Sequence, residues 1–290
     1  MQHYVAFIAD IKGSRKYRAE EREYLQDLTN ESLFFANELF NGGIEKDVVF
    51  SAGDEVQGLF REPATAFLYY RLLCFLLGPG VLRGGLGIGT WDVRLEEGAS
   101  TSQDGEAYHY ARSAILEAQK RRRFDFVFRS RGLSDEVLTT LADHSLSIGK
   151  MRTATQNDMA LAVELFYPML IACGRDVFSD SLKTRLKNLL ELRTLGSSCR
   201  RAESELFKGL LSSFDDRADG FFEPVQLEVG RNAGSFRCLE GDLVGVSYAL
   251  SQRSGMSRQG IDRLLAQGCV AEERNATALF SYCSTREFGW

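Results

Sequence analysis

Along the first 130 residues, short apolar blocks alternate with polar loops, and most blocks end at a glycine. "HYVAFIAD" (His3 to Asp10) is apolar and β-branched over the length of one strand, and it stops at the polar loop "DIKGSRK". From Arg18 to Phe40 the spacing becomes helical. Leu25, Leu28, Phe35 and Leu39 mark one face, and Gly42-Gly43 ends it. "DVVFSA" and "EVQGLF" read as two strands either side of Gly53-Asp54, a hairpin signal. Pro63 opens a second helix, "ATAFLYYRLLCFLL", which "GPG" ends. "VLRGGLGIGTW" predicts a glycine-interrupted strand, "GEAYHYARSAILEAQKRR" a third helix and "FDFVFRS" a fifth strand.

The first six elements follow the order of a split βαβ, or ferredoxin-like, unit of the palm type, and the expected fold class is α+β. In that fold the end of the first strand lies beside the hairpin, so Asp10 and Asp54 are expected side by side. Beyond it the chain predicts helices. Three are expected between about Thr155 and Phe214, the second capped by Asp180, with Leu182, Leu186, Leu189 and Leu190 as its apolar stripe. "FFEPVQLEVGRNAGSF" has no clear period and stays unassigned. Around Gly255 the spacing suits a helix-turn-helix: small Ser251 before the glycine, Leu250, Met256, Ile261 and Leu264 as apolar pins. Ser257 would cap its second helix, with Arg258, Gln259 and Arg263 on the polar face. The expected organisation is a palm domain over 1–152, a helical middle over 153–235 and a helix-turn-helix-like segment over 236–290.

Composition narrows the function classes. The chain has 290 residues, 44% hydrophobic and 26% charged, as in a soluble globular protein. Its net charge of -5 excludes a chain that coats nucleic acid non-specifically. The six cysteines form no CxxC pair, which points to reduced thiols in the cytoplasm. Arg71 and Glu164 interrupt the longest apolar runs, which therefore read as buried helices and not membrane spans.

Two carboxylates at adjacent strand ends suit Mg²⁺ or Mn²⁺, hard ions that also touch substrate phosphates. The loop from Ile11 through Lys12, Gly13 and Ser14 to Arg15 has what a phosphate needs: a flexible glycine, backbone amides and cations. Arg112, on the third helix, is positioned to offset charge developing on a phosphate. Each feature has a plainer reading beside it. Gly-Asp is good turn chemistry anywhere. "GGLGIG" suits either a strand packed tightly against a helix or bare backbone that admits a base or ribose. Glu55, next to Asp54, is expected on the other face in a structural pairing. The Gly255 unit serves either packing or DNA binding, and its arginines are set against Glu240, Asp242 and Asp262.

"FIADIKGS", "FSAGDEVQGLF", "LRGGLGIGTW" and "DGEAYHYARSAI", in this order, resemble the SatD family and, more distantly, the catalytic domain of class III nucleotide cyclases. That resemblance implies metal binding by Asp10, Asp54 and the Ile11 carbonyl, a transition-state role for Arg112, a nucleoside triphosphate as partner and a homodimer. The chain also departs from the cyclase pattern. Tyr108 stands where the cyclases carry an asparagine, and Phe50 where they carry a base-selecting lysine. This favours a nucleotide-binding palm with altered or lost catalysis. The alternative is a non-catalytic regulator that binds DNA through its helix-turn-helix.

Overall fold

The computed structural model describes residues 2–122, 124–171, 178–195, 204–217, 222–227 and 243–289. Five strands make one mixed sheet in the order β2-β3-β1-β4-β5: β1 (Tyr4–Ile11), β2 (Ile44–Ala52), β3 (Glu55–Phe60), β4 (Leu82–Gly89) and β5 (Phe126–Arg129). β1 is antiparallel to both β3 and β4, while β5 joins β4 in parallel. This is the central pairing that the split βαβ expectation requires.

β1 is apolar at nearly every position because it is covered on both faces. Val5, Phe7, Ala9 and Ile11 face α1 (Ala19–Leu39) and α2 (Pro63–Leu77). Tyr4, Ala6 and Ile8 pack with Trp91 and with Ala107, Ala111 and Ile115 of α3 (Glu106–Ala118). The glycines of β4 explain how α3 comes so close. A Cβ on Gly87 would lie 2.1 Å from the Ala111 nitrogen and 2.2 Å from the Ala107 oxygen. One on Gly84, facing the other way, would meet the Tyr70 ring at 2.5 Å. The space against the bare backbone of "GGLGIG" is therefore filled by α3 and Tyr70, the packing alternative of the two considered.

Among the described residues seven more helices follow: α4 (Asp135–Lys150), α5 (Ala154–Phe166), α6 (Asp180–Leu195), α7 (Glu205–Arg217), α8 (Val246–Ser254), α9 (Arg258–Gln267) and α10 (Val270–Phe288). Asp180 is not the cap of α6 but its first residue. The hydroxyl of Ser179 accepts from the Leu182 N–H at 3.0 Å, and Asp180 adds favourable charge in the first turn. Within the unassigned stretch, β7 (Val225–Gln226) pairs in parallel with β6 (Met169–Leu170), and residues 228–236 lie outside the described residues. Gly255 ends α8 with φ 71°, and the Ser257 hydroxyl accepts from the Gly260 N–H at 3.2 Å to start α9. α10, unforeseen from the pattern, buries Ala278 and Phe280, and the Phe280 ring packs tilted against Phe67 of α2 with centroids 4.1 Å apart.

A buried ionic cluster joins the three expected stretches. Arg71 of α2 donates to Glu164 of α5 at 2.7 and 2.9 Å and to Glu273 of α10 at 2.6 and 2.5 Å. Arg274 also donates to Glu164, and its other nitrogen reaches the Tyr167 carbonyl at 3.1 Å. Arg152 donates to the Gly268 carbonyl at 2.6 Å. Three arginines thus meet two glutamates, and the carbonyls at the ends of α5 and α9 supply part of the missing negative charge. Flanking arginines hold Glu164 well below the usual carboxylate range, at about 2, despite full burial.

Candidate functional site at the end of β1

The last turn of β1 brings polar groups together on the α3 side of the sheet. Asp10 is in register with Glu55 of β3 and with Arg83 of β4. Residues directly opposite in a sheet share a face, so all three point toward α3. Gln119, just past α3, donates to Asp10 Oδ2 at 3.1 Å, and Arg83 Nη1 lies 3.6 Å from the same oxygen. The other oxygen, Oδ1, is buried and has no hydrogen-bond partner. Burial raises the pKa of Asp10; Gln119 and Arg83 oppose the shift, and the charges of Asp54 and Glu55 add to it.

Glu55 makes the structural pairing expected of it. Asp54 belongs to the turn, where Gly53 takes φ 63°, and β3 begins at Glu55. Glu55 shares the α3 face with Asp10, while Asp54 lines a cleft with Ile11, whose side chain is on the other face of β1. Arg112 of α3 grips it with two bonds of 2.5 and 2.8 Å, and Ser51 adds a third at 2.8 Å. Burial works against the charge on Glu55, but these bonds outweigh it and hold its pKa below the usual value. Arg112, expected to be aimed at a phosphate, is thus paired with the carboxylate beside Asp10.

The phosphate loop divides. Ile11, Ser14 and Arg15 line a cleft of about 330 Å³ together with Asp54, Phe50 and Tyr17. Gly13 turns the chain with φ 66°. Lys12 does not join this cleft: its ammonium lies 2.7 Å from Asp125 on the far side of the loop. Among the described residues no three His, Cys, Asp or Glu side chains group as a metal-holding set, so any ion here relies on two carboxylates and on ligand or solvent oxygens.

The remaining candidates are quickly placed. The Tyr108 hydroxyl bonds that of Ser100 at 3.2 Å, and burial pushes it up to about 12. His109 is exposed. Arg258, Gln259 and Arg263 are exposed on α9, and Arg258 sits 3.8 Å from Asp262. Of the "KRRRF" run, Arg121 is held by Glu117 at 2.7 Å, and Arg123 lies outside the described residues. Gln119 and Arg83 were missed by pattern reading; strand register signals Arg83, and only the packing of α3 on the sheet brings Gln119 to Asp10.

Residues 4–127 match the SatD family model. The matched segment runs from β1 into β5 and carries every group just described at the strand ends. It covers less than half of the chain and leaves out α4 to α10. No curated protein matches. Among solved structures, one titled "Structure of a bacterial light-regulated adenylyl cyclase" aligns at a TM-score of 0.29 and 11% identity, covering 43% of this chain and 74% of that one. A likeness this weak carries no argument. Among the described residues no helix is long and apolar enough to cross a membrane.

Proposed function

We propose that the SatD-matching segment is a cyclase-like palm that binds a nucleotide with a divalent cation, Mg²⁺ or Mn²⁺, in the cytoplasm. The observation that carries this reading is the buried, unpartnered Oδ1 of Asp10, whose pKa the charge of Asp54 helps to raise, at the strand end where Ile11 lines a cleft with Asp54, Ser14 and Arg15. Two carboxylates with few other protein ligands fit the way Mg²⁺ is usually held. Asp10, Asp54 and the Ile11 carbonyl would hold the ion. Bound there, it would supply charge neutralisation for phosphates and activation of a hydroxyl. Ser14 and Arg15 would orient the phosphate chain in the cleft. If the segment is catalytic, the reaction class is attack of a hydroxyl on the α-phosphate with release of pyrophosphate. Arg112 contributes only after leaving Glu55 or by acting across a homodimer.

Titration calorimetry with a nucleoside triphosphate and Mn²⁺ tests the reading. The expected result is binding by the wild type and at least roughly tenfold weaker binding by Asp54→Asn. No binding by the wild type, or equal binding by the variant, would sink it.

A second reading rests on α8 and α9: a capped helix after a tight turn presents Arg258, Gln259 and Arg263 to solvent. In it the chain is a regulator that binds DNA through this unit. Recovery of no specific sequence in a low-salt selection would count against it.

A further inference from the structure

Two arginine–carboxylate pairs stand side by side at the strand ends and differ in form. Arg112 closes on Glu55 as a fork, one nitrogen to each carboxylate oxygen, at 2.5 and 2.8 Å. That is the common way for a guanidinium to meet a carboxylate. Arg83 does not close on Asp10 in this way. It brings one nitrogen, Nη1, to 3.6 Å from one oxygen, Oδ2, which is beyond hydrogen-bond distance. Arg83 Nε and Asp10 Oδ1 are both buried, and neither has a partner. A donor and an acceptor of opposite charge thus stay unpaired, although the register sets Asp10 directly opposite Arg83.

The group that holds this pair open is Gln119. It follows α3 by one residue and donates its side-chain amide to the same Oδ2 at 3.1 Å. An amide donor carries no charge, so it fixes the carboxylate without neutralising it. With Oδ2 held by Gln119, the carboxylate does not turn both oxygens to the Arg83 fork, and Oδ1 stays free. Charge alone does not explain the open pair. Asp10 also feels the negative charges of Asp54 and Glu55, which favour closure on a cation.

We propose that Gln119 is a positioning residue that keeps the Asp10 carboxylate open for a divalent cation by denying it to Arg83. This rests on the reading of Asp10 as a cation ligand. Hydrogen bonds from outside the ligand shell commonly change metal affinity by roughly ten- to a hundredfold. Here the bond also decides which cation Asp10 takes, the ion or the arginine.

Mn²⁺ binding to the full chain tests it, read from the loss of the free-ion electron paramagnetic resonance signal, with Mn²⁺ alone as the probe. Gln119→Leu removes the donor at an exposed position. It should weaken Mn²⁺ binding at least roughly tenfold and leave the Tm of the metal-free chain little changed. Adding Arg83→Met removes the competitor and should return the affinity to within about threefold of the wild type, a non-additive result that a merely structural role for Gln119 does not produce. Should Arg83→Met fail to fold, Arg83→Gln takes its place, because it keeps a polar end on a side chain that is 20% exposed. Unchanged affinity in Gln119→Leu, or a loss that the second substitution does not relieve, would overturn the proposal. No Mn²⁺ binding by the wild type would remove the cation from Asp10 and the role of Gln119 with it. Binding that Asp10→Asn abolishes and Gln119→Leu leaves intact would remove the role of Gln119 alone.

Discussion

Two charged clusters in this protein have similar membership and opposite character. The cluster around Arg71 is sealed in the core, and both oxygens of Glu164 and of Glu273 meet an arginine, although Arg152 Nη1 and Arg274 Nε have no partner. The cluster around Asp10 sits at the strand ends in the middle of the sheet, partly open to solvent, and leaves one buried carboxylate oxygen without a partner. Burial sets the difference. Deep in the core an unmatched charge costs several kcal/mol, so the fold must pair it. At a strand end the cost is smaller, and a group left incomplete is open to a ligand. The first cluster therefore reads as structure and the second as a site.

The sharpest way to break this comparison is to remove one partner from each. Glu164→Gln leaves Arg71 and Arg274 short of an anion in the core. It should destabilise the protein by about 3–5 kcal/mol, measured by chemical unfolding. A loss near zero would mean the core cluster is slack.

Asp143 of α4 lies between the two extremes. It is buried, one oxygen has no partner, and Arg121 lies 3.9 Å from the other. Burial pushes its pKa up to about 7, opposed by Arg121 and Lys150 and aided by Asp125 and Glu136. A folded-state pKa raised this way means the native state holds the proton more tightly than the unfolded chain. The stability it contributes is full below pH ~4, falls as pH rises, and is gone above pH ~7, a change on the order of a few kcal/mol. Unfolding measured across that window should show the slope, and Asp143→Asn should flatten it. An unaltered slope in the variant would remove Asp143 from the comparison.

Smaller effects are expected at the strand ends. Arg112→Ala breaks a pair whose arginine is 47% exposed, so the loss should stay near or below about 1 kcal/mol. Asp54→Asn should change stability by less than about 0.5 kcal/mol, as for a turn residue, while weakening Mn²⁺-dependent nucleotide binding at least roughly tenfold. Loss of several kcal/mol in either variant would make the strand-end cluster structural too.

Much of the fold was legible because strands and helices are encoded locally. The apolar run of β1, Pro63 at the start of α2 and the Gly255 turn all act within a few residues. Leu182, Leu186, Leu189 and Leu190 are all fully buried, as their spacing implied. The site was only half legible. Asp10 and the hairpin turn stood out as motifs, but only the register sets Glu55, and not Asp54, on the face of Asp10. Lys12 looked like a phosphate ligand from its neighbours in the chain, yet its partner, Asp125, is remote in sequence.

The sequence by itself determined the element order of the first 130 residues, the glycine strand, the acidic turn and the loop of cations, because those follow from propensity and spacing. Only the tertiary structure decided which charges meet. Arg71 and Glu164 appear in the sequence merely as interruptions of two apolar runs, and folding turns them into each other's partners. Arg112 appears as an arginine on a helix, and folding sets it on Glu55. Charge pairing is decided at a few ångströms between residues far apart along the chain, and no local pattern carries that distance.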